Sequence, residues 1–112
     1  MHTEISHKTT DSAVVIYIDG DLTTNTSPDV EAEMLEVLEG EDKHVIIDVE
    51  NVDFIASTGL RVILALGKKL SARGFKLMVC SMNQSTKSVF EMSGFTKLFP
   101  VFENDEKALD SL

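Results

Sequence analysis

The chain has 112 residues, 43% hydrophobic and 26% charged, with 19 acids against 10 bases and a net charge of −9. That length and balance fit one soluble α/β-sized domain, 1–112, with a single core. The acid excess works against nucleic acid and anionic membrane surfaces, and no apolar run approaches the roughly 20 residues that span a bilayer.

The first residues, Met1-His-Thr-Glu-Ile-Ser-His7, lack the basic start and apolar core of a signal peptide. The single cysteine, Cys80, has no internal disulfide partner and no metal-ligand neighbour in sequence. A reduced, cytoplasmic protein without cofactor or metal is expected. Residues 3–10 are weakly patterned and read as an edge strand. Ala13-Val-Val-Ile-Tyr-Ile18 is a strand rich in β-branched residues, and the short gap at Thr10 to Ser12 makes the two a hairpin. Thr23-Thr24-Asn25-Thr26-Ser27 is too hydroxyl-rich for a core and reads as a polar loop.

Ser27-Pro28-Asp29 marks a helix start, with a capping hydroxyl, proline in the first turn and an acid against the dipole. Val30, Met34, Val37 and Leu38 give the apolar stripe, and Gly40 the stop. Val45-Ile-Ile-Asp-Val49 is the near-continuous apolar run of a strand covered on both faces. A turn through Asn51 to Ala56 leads into a helix from about Ser57 to Arg73, apolar over a wide arc (Leu60, Val62, Ile63, Leu64, Leu66, Leu70) and ended by Gly74. Ser57 and Thr58, at its mouth, read as cap residues whose oxygens accept free backbone N–H groups. Arg61, Lys68, Lys69 and Arg73 in the same helix read as favourable charge toward its C-terminus, or as a partner-facing basic strip.

Phe75 to Cys80 alternates into a further strand, Ser85 to Ser93 forms a short helix, and Gly94-Phe95 fits a glycine C-cap with its apolar contact. Leu98 to Phe102 adds a last strand, which Pro100 places at an edge. Asn104 to Asp110 is a capped terminal helix. The order β-β-α-β-α-β-α-β-α predicts an α/β fold with a mixed, mostly parallel sheet of four to five strands and about four helices. Functional surfaces in such folds lie where strands run into helices, which is where Ser57-Thr58-Gly59 falls.

No glycine-rich phosphate loop, zinc spacing or nucleophile elbow is present, and the three histidines read as surface or core-edge residues. Cys80 reads as a small buried apolar residue. Asp48, near a strand end, resembles the phosphoacceptor of a receiver domain. Asp19-Gly-Asp21 imitates the magnesium-holding acid pair only in part, however, and no lysine stands after the last strand. No enzymatic activity is expected.

Asn51-Val-Asp-Phe-Ile-Ala-Ser-Thr-Gly-Leu-Arg-Val-Ile-Leu64 resembles the signature of STAS domains, specifically of bacterial anti-sigma factor antagonists. Gly20-Asp-Leu22, Phe90-Glu-Met-Ser-Gly-Phe95 and Leu98-Phe-Pro-Val-Phe102 extend the resemblance over nearly the whole chain, in matching order. It implies a partner switch. The unphosphorylated antagonist binds an anti-sigma factor that is also a serine kinase of the histidine-kinase ATPase type, and so frees a sigma factor. Phosphorylation at Ser57, or else Thr58, ends binding, and a serine phosphatase restores it. The implied partner face comprises Asp21, Thr23, Thr24, Asn25, Ala56, Ser57, Thr58, Gly59 and Arg61. Two positions depart from the family pattern: Ala56 stands where an acid commonly precedes the hydroxyls, and Thr23 where an acid follows Gly-Asp-Leu. They leave open a second reading, a phosphorylation-independent STAS scaffold or transport-associated binding subunit.

Overall fold

A computed structural model describes residues 2–112. Its elements are β1 (Glu4–Thr9), β2 (Ala13–Asp19), α1 (Ser27–Leu38), β3 (His44–Asn51), α2 (Ser57–Ala72), β4 (Leu77–Cys80), α3 (Gln84–Met92), α4 (Phe95–Leu98), β5 (Val101–Phe102) and α5 (Asp105–Asp110). The five strands lie side by side in sequence order. β1 is antiparallel to β2, and every later neighbour is parallel. Both hairpin and edge expectations hold, since β5 with its preceding Pro100 forms one border of the sheet.

The sequential order decides the layering. Each parallel crossover steps one strand in the same direction, and crossovers are right-handed, so their helices fall on one face. The main core accordingly joins Val30 and Met34 of α1, Val62, Ile63, Leu66 and Leu70 of α2, and Phe90, Phe95 and Phe99 to Val14, Ile16, Ile18, Val45, Ile47 and Val79 of the sheet. The opposite face presents Ala13, Val15, Ile46, Met78 and Cys80, and Ala108 of α5 packs against them. Met78 and Cys80 therefore alternate properly with Leu77 and Val79. They look irregular in sequence only because α5 buries their face too.

Three local expectations are corrected. Residues Phe75 and Lys76 precede the strand, which starts at Leu77. An extra one-turn helix, Phe95–Leu98, follows α3, so there are five helices among the described residues. Gly94, at φ 81°, lets the chain turn from α3 directly into it, and four residues are too few to show a helical period. Phe90, Phe95 and Phe99 then stack edge-to-face at centroid separations of 5.7 Å each. Finally, Ser27 does not cap α1: its hydroxyl donates back to Thr23 O at 2.6 Å, and Thr26 occupies the cap position.

Candidate functional site

The site lies at the C-terminal ends of β2 and β3, where two loops are fastened together. Leu22 N donates to Phe54 O at 2.9 Å and Ala56 N to Leu22 O at 2.7 Å, so Leu22 and Ile55 form a one-residue parallel bridge beyond the sheet. The Asp21 carboxylate accepts from Asp53 N at 3.2 Å and from Phe54 N at 3.1 Å. A register irregularity between the Tyr17–Asp48 and Asp19–Asn51 pairs lies just before this junction. The polar loop is ordered by its own hydroxyls. Thr23 Oγ1 accepts from Asn25 N at 3.2 Å and Thr26 N at 3.1 Å, while Thr26 Oγ1 donates to Asp21 O at 2.7 Å.

These bonds bring the nine implied partner residues to one end of the molecule but give them different jobs. Thr24, Asn25, Ser57 and Arg61 are exposed. Asp21 and Thr23 have their side-chain oxygens engaged in holding the loops. Gly59 is buried: a Cβ there would sit 2.8 Å from Leu22 Cβ and 3.1 Å from Ile55 Cγ2. Its role is to let α2 close against the bridge, rather than to keep the helix mouth free of bulk.

The two hydroxyls also differ. Ala56, in extended conformation, is the N-cap of α2, and no side chain caps the helix. Ser57 and Thr58 are thus the first two helical residues rather than its caps. Ser57 is exposed. Thr58 Oγ1 is buried and has no hydrogen-bond partner among the described residues. With no cap oxygen in place, the amides of the first turn face a position where an anion is favoured by both N–H groups and dipole.

Two residues of the site were not evident from the sequence. Phe54, between Asp53 and Ile55, is 53% exposed. Asn83 is the N-cap of α3, accepting from Thr86 N at 3.0 Å, and its Nδ2 donates to Val52 O at 2.9 Å and Asp53 Oδ1 at 3.3 Å. An asparagine at the start of a short helix signals the cap; nothing local signals the reach back to Val52.

Asp48 is not part of this surface. It is 5% exposed and accepts from Ser81 Oγ at 2.9 Å, Glu50 N at 3.0 Å and the Cys80 thiol at 3.5 Å. Burial, with Asp48 beside it, pushes the Cys80 thiol up to about 12, which keeps it protonated and unreactive. Among the described residues no group of three His, Cys, Asp or Glu is placed to hold a metal ion, and no helix is long and apolar enough to cross a membrane.

A mixed five-stranded sheet in sequential order, with the mouth of α2 fastened to the β2–α1 loop, defines the class of α/β domain. The chain belongs to the STAS domain family, whose family model matches residues 4–108. The anti-sigma F factor antagonist of Paenibacillus polymyxa is 30% identical over 100 residues, covering 88% of this chain and 86% of that one. The fold matches an anti-sigma factor antagonist from Mycobacterium paratuberculosis with a TM-score of 0.84, at 23% identity over 98% of this chain and 93% of that one. It also matches the Bacillus antagonist SpoIIAA at 20% identity, over 96% of this chain. The TM-score is 0.81 for the unphosphorylated form, covering 95% of that chain, and 0.73 for the phosphorylated form, covering 98%.

Proposed function

We propose that this protein is a cytoplasmic, non-enzymatic anti-sigma factor antagonist that regulates transcription by partner switching. Unphosphorylated, it binds an anti-sigma factor that is also a serine kinase of the histidine-kinase ATPase type, and so releases a sigma factor. The kinase transfers the γ-phosphoryl group of ATP to the hydroxyl at the α2 mouth, and the modified antagonist dissociates. A serine phosphatase resets it.

The observation that carries this reading is the exposed Ser57 hydroxyl on the first turn of a helix with no side-chain cap. A phosphate there adds about −1.5 to −2 charges and three acceptor oxygens. The fold tolerates it, because free amides and the dipole offset it by about 0.3–1 kcal/mol. A packed interface does not, because the dianion must be desolvated to enter it. Binding is lost while the antagonist's own structure is kept. Ser57 is the acceptor in this reading and Thr58 the lesser candidate, since the Thr58 oxygen is turned inward.

The test is incubation with ATP and the candidate kinase, with the product mapped by mass spectrometry. Phosphate on Ser57, lost in Ser57→Ala and kept in Thr58→Val, is the expected result. Ser57→Asp is expected to weaken kinase binding at least tenfold. One observation favours the alternative of a phosphorylation-independent scaffold or transport-associated subunit: Ala56 and Thr23 bring no carboxylate to the helix mouth. That reading predicts a kinase that binds but leaves both hydroxyls unmodified, and equal affinity in Ser57→Asp.

A further inference from the structure

We propose that Phe54 is the anchor by which this protein holds its anti-sigma factor, inserting into an apolar socket framed by lysine or arginine side chains. The inference rests on the partner-switching reading and deepens it by naming the contact that supplies affinity. Ser57 sets whether binding occurs; Phe54 sets how strongly.

Large aromatic side chains are normally buried, and Phe90 at 0% exposed, Phe95 at 7% and Phe99 at 8% follow that rule, with Phe75 partly buried against the core. Phe54 is 53% exposed. Leaving half of such a ring in water forgoes part of its hydrophobic stabilisation, yet the backbone beneath it is well held. Phe54 N donates to Asp21 Oδ1 at 3.1 Å, and Phe54 O accepts from Leu22 N at 2.9 Å. On one side Ile55 pairs with Leu22; on the other, Asn83 clasps Val52 O and Asp53 Oδ1. Both backbone polar groups of the residue are therefore satisfied and its neighbours are tied to two separate elements. The ring is presented on a fixed base instead of a mobile tip, so little ordering entropy stands against its insertion.

Position supports the assignment. Phe54 is three residues before Ser57, on the same junction of loops, so a partner that covers one meets the other. A dianion beside an aromatic contact disrupts it by forcing desolvation of charge in an apolar setting, which couples the two residues without any movement of the fold.

Charge selects the partner's chemistry. Asp19, Glu50 and Asp53 are exposed around the end of β3, Asp21 is partly exposed, and Arg61 on α2 is the nearby cation within the site. The net charge of the chain is −9. An apolar socket with a basic rim complements an aromatic with an acidic rim, in the arrangement of a buried hot spot and a polar border.

The experiment uses the full chain and the candidate anti-sigma factor kinase from the same genome, without nucleotide, in calorimetric and surface-binding titrations. Phe54→Ala is expected to weaken binding about 30-fold or more, the factor that marks a hot-spot residue, chiefly through faster dissociation. Its melting temperature should fall by only a few degrees, because the ring is half in water, so loss of binding is not loss of fold. Glu50→Gln with Asp19→Asn, both exposed and neither part of the clasp beneath Phe54, is expected to slow association and flatten its salt dependence while leaving the off-rate alone. The chain contains no tryptophan, so Phe54→Trp places a single indole at the anchor, and its emission should shift to the blue on addition of the kinase. Affinity of Phe54→Ala within twofold of the parent, with Ser57→Asp still disruptive, overturns the anchor and leaves the switch standing. A kinase that does not bind the parent chain overturns both.

Discussion

At the scale of single residues, the mouth of α2 is decided by Ala56, Thr58 and Gly59. Ala56 occupies a cap position that in its preferred chemistry carries an oxygen. Ala56→Asp is therefore expected to stabilise the protein by about 1 kcal/mol, read as a rise of several degrees in Tm by calorimetry. Thr58 carries a buried hydroxyl without a partner, which costs desolvation with no return. Thr58→Val keeps the shape and removes the orphan, so its stability should equal or exceed that of the parent in urea titration. Gly59→Ala should act in the opposite direction, by about 1–3 kcal/mol, because its Cβ meets Leu22 Cβ at 2.8 Å and the Leu22–Ile55 bridge cannot retreat without undoing the loop junction.

At the scale of elements, α5 is the least expected contributor. It has six residues, yet it supplies the helical cover for the second face of the sheet, where Val15, Ile46, Met78 and Cys80 are at most 1% exposed. Its Asn104 cap accepts from Lys107 N at 2.8 Å, and its first residue is latched to the sheet: Tyr17 Oη donates to Asp105 Oδ2 at 2.6 Å, with Lys8 Nζ 3.4 Å from the same oxygen. The Tyr17 hydrogen bond, followed by that of Lys8, holds the Asp105 carboxyl below the usual carboxylate range, against the opposing effect of burial. A depressed folded value means the stabilisation is complete above about pH 4, where the unfolded carboxyl is ionised, and is lost as pH falls through the folded value. Tyr17→Phe is expected to cost about 1 kcal/mol at neutral pH. Thermal melts of parent and variant should converge as the pH drops below 4.

At the scale of the whole molecule, sequential strand order is what separates scaffold from surface. With α1, α2, α3 and α4 all on one face, the loop ends of β2 and β3 stay uncovered and carry Thr24, Asn25, Phe54, Ser57 and Arg61 together. The cost of that one-sidedness is the dependence on α5. Removal of residues 103–112 should expose the second apolar face, seen as dye binding to exposed apolar surface and loss of a sharp thermal transition. A second cross-molecule contact is Gly67, where a Cβ would lie 2.7 Å from Phe99 Cζ. α2 and the α4–β5 connection approach so closely there that only glycine fits.

Most of the fold was legible because its signals are local. Ala13 to Ile18 and Val45 to Val49 are β-branched runs, α2 repeats its apolar residues at helical spacing, and Gly40, Gly74 and Gly94 punctuate the chain. The family signature from Asn51 to Leu64 picked out the candidate site for the same reason, being contiguous. What the sequence by itself determined was the order of elements apart from α4, the class of fold and the stretch proposed as the site. Only the tertiary structure decided which way each side chain of that stretch is used, because orientation depends on partners distant along the chain. Asp21 lies 32 residues from Asp53, so its carboxylate could not be read as the clamp of that turn. The two hydroxyls of Ser57-Thr58 are adjacent and chemically alike, yet helical geometry turns one outward and the other against the protein. The exposure of Phe54 arises from the same cause: its backbone is held by Asp21 and Leu22 of the β2–α1 loop while Asn83 holds its neighbours Val52 and Asp53, and an aromatic so held is free to face water.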